Sequence, residues 1–142
     1  MDDIEKIKNI AALEREVFSN PWTPEMIQSS MTSDFDRVEV QEKDGVFQGY
    51  VIYSVVCDSA DLLRIAAMPE YRRQGVGTVL MDCMIKACES AGVQNIFLEV
   101  RQSNVPAIGM YDRFGFKEIS RRKRYYTSPV EDCIVMQKEL SS

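Results

Sequence analysis

Gly75 and Gly77 stand in the run Arg72-Arg73-Gln74-Gly75-Val76-Gly77-Thr78, between a strand-like segment ending near Met68 and the most amphipathic helical segment of the chain. Glycine lets a backbone approach a ligand closely, the first-turn N–H groups of a helix lack internal acceptors, and the macrodipole favours an anion at that end. The position therefore suits a pyrophosphate, and it suits a plain turn as well. Two other phosphate motifs are excluded. A Walker loop ends in Gly-Lys-Ser/Thr, whereas Gly77-Thr78 has no lysine, and a dinucleotide fingerprint needs a third small residue where Leu80 stands.

The chain contains no histidine. An imidazole base, an imidazole ligand and a Ser-His-Asp relay are therefore excluded, and proton transfer falls to Glu, Asp, Tyr, Cys, Lys or water. Glu99 shares one face of a predicted strand with Phe97 and Arg101, which also suits an ordinary exposed carboxylate. Tyr111 falls on a predicted helix, where it could simply pack with Ile108 and Phe114. Cys57, Cys83, Cys88 and Cys133 form no Cys-x-x-Cys pair and are too sparse for a disulfide framework. No base is visible beside any of them in the sequence, and Cys83 and Cys88 read as packing residues. No metal is implied.

The segments that must hold these residues follow from periodicity. Ile4 to Phe18 has helical spacing and reads as a surface helix, closed by Asn20-Pro21. Thr23-Pro24 supplies an N-cap and a first-turn proline for a short helix reaching about Ser30, with Trp22 as a core anchor at its entrance. Arg37 to Lys43 and Val46 to Val56 form a predicted hairpin around Asp44-Gly45. A strand from Leu62 to Met68 ends at Pro69. Leu80, Cys83, Met84, Ala87, Cys88 and Ala91 line one face of a helix from about Gly75 to Ser90, which Gly92 ends. A strand from Asn95 to Arg101, a helix from Asn104 to Phe114, and strands from Phe116 to Arg121 and Glu131 to Glu139 complete the chain. This order indicates an α/β fold, a mixed sheet with helices on its faces.

The 142 residues carry 22 acidic and 17 basic side chains, a net charge of −5, and read as one soluble domain spanning 1–142. That balance disfavours non-specific adhesion to nucleic acid or lipid. Met1 is followed by acidic residues, and no apolar run approaches the roughly 20 residues of a membrane span, so a cytoplasmic protein without a membrane partner is expected. The basic run Arg121-Arg122-Lys123-Arg124 reads as a solvated strand end and loop, and direct RNA binding is not expected. Glu16, Glu25, Asp34, Asp36, Glu131 and Asp132 are candidates for attracting a basic peptide.

Two stretches carry a family resemblance. Arg-Arg-Gln-Gly-Val-Gly, following Ile65-Ala66-Ala67-Met68-Pro69-Glu70-Tyr71, resembles the acyl-coenzyme A loop of the GNAT acetyltransferase superfamily. Leu98-Glu99-Val100-Arg101-Gln102-Ser103-Asn104, continuing to Ala107-Ile108-Gly109-Met110-Tyr111 and Phe114-Gly115-Phe116, resembles the RimI type within it. Those bacterial enzymes acetylate the N-terminal alanine of a small-subunit ribosomal protein. Asn20-Pro21-Trp22 and Tyr125-Tyr126 before Glu131-Asp132-Cys133 are similar to that group too.

The resemblance implies a GNAT-like sheet, mostly antiparallel, with helices on both faces and a splayed central strand pair. It implies acetyl-CoA as co-substrate, with Ile65, Ala66 and Ala67 along the pantetheine arm. Arg73, Gln74, Gly75, Val76, Gly77 and Thr78 would enclose the phosphates, and Asn104 would contact the coenzyme. Glu99 takes the place of a general base and Tyr111 of a general acid, and Tyr125 or Tyr126 borders a peptide groove. The implied acceptor is a ribosomal protein or another protein N-terminus. An acetyltransferase for a small-molecule amine and a non-catalytic acyl-CoA-binding sensor are the alternatives.

Overall fold

The computed structural model describes residues 1–140. Helices α1 (Asp3–Val17) and α2 (Pro24–Thr32) precede strands β1 (Asp36–Lys43), β2 (Val46–Val56) and β3 (Ser59–Ala67). A single 3-10 turn at Pro69–Tyr71 leads into α3 (Val76–Ser90), followed by β4 (Asn95–Arg101), α4 (Val105–Arg113), β5 (Lys117–Thr127) and β6 (Val130–Glu139). Among the described residues the six strands form one sheet in the order β1-β2-β3-β4-β6-β5, in which only the β3–β4 pair is parallel.

Local chemistry sets the element ends. Asp2 caps α1 by accepting from the Glu5 N–H at 2.8 Å, and Thr23 caps α2 by accepting from the Met26 N–H at 3.2 Å. Each cap is worth about 1 kcal/mol. Asp44 and Gly45, at φ 54° and 78°, give the β1–β2 hairpin the left-handed turn that suits the twist of its strands.

The alternation of β2 divides the interior into two cores. Val51 and Tyr53 face α3 and join Leu80, Met81, Met84, Ile96 and Leu98. Tyr50 and Ile52 face the other way and join Ile10, Leu13 and Ile27 from α1 and α2. Helices thus cover both faces, as expected.

The central pair opens where a bulge intervenes. Leu62 pairs with Tyr53 and Arg64 with Ile52, so Leu63 is an extra residue in β3. A bulge bends its strand and reverses which face the following side chains occupy. Leu62 lies in the α3 core, whereas Ala66 and Met68 lie in the α1–α2 core. The parallel pairing of β3 with β4 stops at the same place, at Leu62 and Leu98. Beyond it, Arg64 to Ala67 and Glu99 to Arg101 diverge and leave a gap in the middle of the sheet.

The bulge also aims Arg64 at α1. Its guanidinium donates to the Glu14 carboxylate at 2.6 Å and 3.2 Å, and Glu14 is fully buried. The Trp22 N–H at 2.8 Å and the Tyr50 hydroxyl also donate to Glu14. Burial first, and then the Glu14 charge, push the Tyr50 phenol far above its ordinary value, so it stays a donor. Arg64 further lies 4.1 Å over the Phe18 ring and donates to the Asn20 carbonyl. One buried carboxylate thereby holds the α1–α2 connection down on β3, which an amphipathic surface helix did not lead one to expect.

Two boundaries differ from the sequence expectation by three residues or more. β3 begins at Ser59, because Ser59 to Leu62 find partners in β4 that periodicity does not reveal. β5 continues to Thr127, so Arg121 to Arg124 lie within a strand rather than in a loop. Pairing with β6 through Tyr126 and Thr127 outweighs the repulsion of adjacent cations.

Candidate active site

Glu99 lies at the gap, on the sheet face that α1 and α2 leave open. Odd-numbered β4 residues face that side, while Ile96, Leu98 and Val100 are buried in the α3 core. Glu99 is about 39% exposed, and its carboxylate lies 3.5 Å from the Arg122 guanidinium. Around it is a cleft of about 580 Å³ lined by Asp61, Leu63, Phe97, Arg122, Tyr125 and Val135.

Strand β5 builds the outer wall. Arg122 pairs with Cys133 and Tyr126 with Glu131, so Lys123, Arg124 and Tyr125 bulge outward. Arg124 adopts φ 52°, and its N–H donates to the Asp132 carboxylate at 3.1 Å. The bulge sets Tyr125 and Tyr126 edge to face, with centroids 5.1 Å apart. Arg122 lies 5.5 Å over Tyr125 and Arg101 4.2 Å over Tyr126. Of the four cations in the run, Arg121 is paired with Glu118 and Arg122 with Glu99.

At the end of β4, Arg101 binds Glu131 at 3.3 Å and donates to the Ser19 hydroxyl at 3.1 Å. Glu131 also accepts from the Ser103 N–H and hydroxyl, and these bonds hold its carboxyl below the ordinary range. Glu131 and Asp132 are therefore committed to internal bonds rather than free to attract a peptide.

Tyr111 occupies the opposite face. It is 6% exposed in the α3 core, with its ring 6.0 Å from that of Phe116. Burial pushes its phenol up to about 12. No fully enclosed side-chain oxygen or nitrogen lacks a partner among the described residues, and the Tyr111 hydroxyl bonds to none of them, so it keeps some access to solvent. A buried ring with an open hydroxyl suits a donor aimed at a ligand.

The loop before α3 has the features of an anion site. Gly75 takes φ 80° at the N-cap position, where a side chain would be strained although space is open, and Arg73 takes φ 67°. The helix begins without a side-chain cap and without an acidic residue in its first turn. The N–H groups of Val76, Gly77 and Thr78 thus lack intrahelical acceptors, and the macrodipole favours an anion at this end. Gly77 has a packing role as well, since a Cβ there would meet the Met110 sulfur at 3.2 Å. Its small size lets α4 pack against α3. Gln74 is turned back, its side-chain amide donating to the Glu70 carbonyl at 3.1 Å.

Along the gap, the Met68 N–H donates to the Gln48 carbonyl at 2.8 Å. The Met68 amide is therefore not free to donate to a ligand. Alternation along an extended strand turns the Ile65 and Ala67 amides toward the gap and that of Ala66 toward β2. The side-chain oxygen of Asn104 caps α4 by accepting from the Ala107 N–H at 3.3 Å, leaving its amide NH2 as the group free for a ligand.

Sequence reasoning missed Asp61 as part of the cleft, and Cys133 and Arg122 as the neighbours of Glu99. Cys133 donates weakly to Glu99 across 3.8 Å, and Cys83 donates to Glu39 at 3.0 Å. Carboxylates do stand beside two cysteines, contrary to the sequence reading, and Cys83 is exposed rather than packed. Both thiols are raised above their ordinary values, Cys83 chiefly by its bond to Glu39 and Cys133 chiefly by burial. Neither is an activated nucleophile. The cross-strand register of β4, β6 and β5 brings Glu99, Cys133 and Arg122 together, and no local pattern encodes that register.

No group of three or more Cys, Asp or Glu residues is placed to hold a metal ion among the described residues. No helix among them is long and apolar enough to cross a membrane.

The sheet is split at its centre, an uncapped helix follows β3, Glu99 stands on the open sheet face and Tyr111 is buried on the other. The pattern of the acetyltransferase (GNAT) family matches residues 7–116, and the chain belongs to that family. It is an acetyl-CoA-dependent N-acetyltransferase. It is 34% identical over 131 residues to the ribosomal protein bS18-alanine N-acetyltransferase of Escherichia coli strain K12, covering 91% of this chain and 88% of that one. The Haemophilus influenzae protein of the same name is 31% identical over 137 residues, 94% of this chain and 90% of that one. The crystal structure of the ribosomal-protein-S18-alanine N-acetyltransferase from Escherichia coli superposes with a TM-score of 0.91 at 31% identity, covering 100% of this chain and 92% of that one.

Proposed function

We infer that the chain transfers the acetyl group of acetyl-CoA to a protein α-amine, the N-terminal alanine of a small-subunit ribosomal protein, in the cytoplasm. The whole chain, 1–142, acts as one domain and binds neither membrane nor RNA. The observation that supports the reading is the split between β3 and β4, with the Glu99 carboxylate beside it on the open face of the sheet. The similarity to bS18-alanine N-acetyltransferases over most of the chain supports the choice of acceptor.

In this reading Ile65, Ala66 and Ala67 pair with the pantetheine arm. Arg73, Gln74, Gly75, Val76, Gly77 and Thr78 surround the phosphates, and Asn104 donates from its amide NH2. The acceptor enters over Glu99. An α-amine has a pKa of about 7.7–8.0 against about 10.4 for lysine, so a carboxylate, directly or through one water, suffices as its base. The amine nitrogen forms a bond to the thioester carbon, Glu99 takes the amine proton, and the carbon–sulfur bond breaks. The Ala67 N–H is the donor aimed at the oxygen on which charge develops.

Tyr111 meets the departing sulfur. Burial raises the Tyr111 phenol to about 12, so it is still protonated as the sulfur departs. The phenol therefore donates a hydrogen bond through the barrier and yields its proton only as the thiol separates.

The test is incubation of the chain with acetyl-CoA and peptides beginning with alanine, followed by mass spectrometry. One acetyl group on the α-nitrogen is expected, and none on lysine. Acetylation of free amines or amino acids at equal efficiency would instead assign a small-molecule acceptor.

A further inference from the structure

Four charged side chains line the cleft at Glu99, namely Asp61, Arg64, Glu99 and Arg122. Three are already matched, Arg64 with Glu14 at 2.6 Å and Arg122 with Glu99 at 3.5 Å. Asp61 has no ion-pair or side-chain hydrogen-bond partner among the described residues. Burial first, and the nearby Glu99 charge second, raise its carboxyl above the ordinary value. The cleft thus contains one carboxylate whose charge lacks a counterpart.

Register places it. Asp61 stands beside Phe97 in the last paired stretch of β3 and β4, and Phe97 precedes Glu99 by two residues on the same face. The two acidic residues are therefore about 8 Å apart, Cα to Cα. Toward Arg101 the cleft is closed, because Arg101 is bound to Ser19 and Glu131 and lies over Tyr126. The open course runs the other way, from Glu99 past Phe97 to Asp61. An extended acceptor advances about 3.3 Å per residue, which carries its second or third side chain over Asp61. Leu63, Phe97 and Val135 give an apolar floor on which the stem of a long cationic side chain can lie.

We propose that Asp61 selects acceptors bearing arginine or lysine at the second or third residue. This inference rests on the α-amine acceptor reading above. It assigns a substrate preference to a side chain outside the proton-transfer pair.

The experiment compares kcat/KM for peptides beginning with alanine in which one arginine is moved among positions two, three and five, each against its neutral isostere citrulline. At low ionic strength the wild-type chain should favour arginine over citrulline about fivefold at position two or three and not at position five, with added salt narrowing the ratio. Asp61→Asn should bring the ratio near one, and Asp61→Lys should favour glutamate over arginine there. Ratios within one variant cancel any loss of folded protein. Equal rates for arginine and citrulline in the wild type, or an undiminished ratio in Asp61→Asn, would overturn the inference while leaving the acceptor reading intact. Failure to acetylate any peptide, with transfer to small amines, would overturn both.

Discussion

The Arg122 guanidinium lies 3.5 Å from the Glu99 carboxylate, reaching it across β6 from the bulged strand β5. In the proposed reaction a cation thus sits where the incoming amine would meet Glu99, and the amine would displace Arg122 or share the carboxylate with it. More than half of the Arg122 side chain is exposed, at 59%, so moving it aside costs little.

Glu99→Gln keeps the shape of the side chain and removes its basicity. The rate of acetyl transfer should fall by about 10²–10³-fold, with coenzyme affinity nearly unchanged, because the phosphate loop lies on another element. Steady-state kinetics with calorimetry of coenzyme binding checks both halves.

Tyr111→Phe removes one hydroxyl that has no partner within the described chain. Turnover should fall about 10–100-fold while thermal stability changes by less than about 1 kcal/mol, since the buried ring remains. A large loss of stability with normal turnover would instead make Tyr111 a packing residue.

Glu14→Leu should destabilise the fold by about 3 kcal/mol, measured by urea denaturation. It strands Arg64, which is only 19% exposed, and removes the acceptor of the Trp22 N–H and the Tyr50 hydroxyl. The Arg64→Leu, Glu14→Leu double variant should recover part of the loss.

Glycine replacements separate conformation from space. Gly75→Ala meets open space and should cost about 1 kcal/mol through its φ of 80°. Gly49→Ala brings a Cβ within 2.6 Å of the Ala66 carbonyl oxygen, where backbone must move, and should cost more than about 2 kcal/mol. Paired denaturation curves test the ranking.

Glu131 predicts an acid dependence of stability. Its folded-state value lies below the ordinary 4.5, chiefly because the Ser103 N–H donates to it. Its contribution is complete above that ordinary value and is lost as pH falls through the lowered one. Denaturation between about pH 5 and 3 should show stability falling less steeply for Glu131→Gln than for the wild type.

Much of the scaffold was legible because its signals are local. The Thr23-Pro24 cap, the Asp44-Gly45 turn and the apolar face of α3 each act within a few residues, and each places its element within a few positions. Glu99 and Tyr111 were legible only through a longer motif resembling a family, since either alone suits a surface or a core. The bulge at Leu63, the Glu14–Arg64 pair and the Arg122–Glu99 contact were not legible. They depend on strand register and on residues 23 to 50 positions apart, where the sequence carries no periodic trace. The length of β5 was misjudged because four adjacent cations read as solvent-exposed chain, whereas an edge strand tolerates charge well.

In the proposed reaction two proton-handling groups, Glu99 and Tyr111, reach one thioester from opposite faces of the gap. A crystal structure with a bisubstrate analogue, coenzyme A joined through an acetyl link to the nitrogen of an alanine-led peptide, measures this directly. The sulfur should lie within about 3.5 Å of the Tyr111 hydroxyl, and the peptide nitrogen should reach Glu99 directly or through one water. An analogue seated with its sulfur away from Tyr111 and its peptide outside the Glu99 cleft would contradict it.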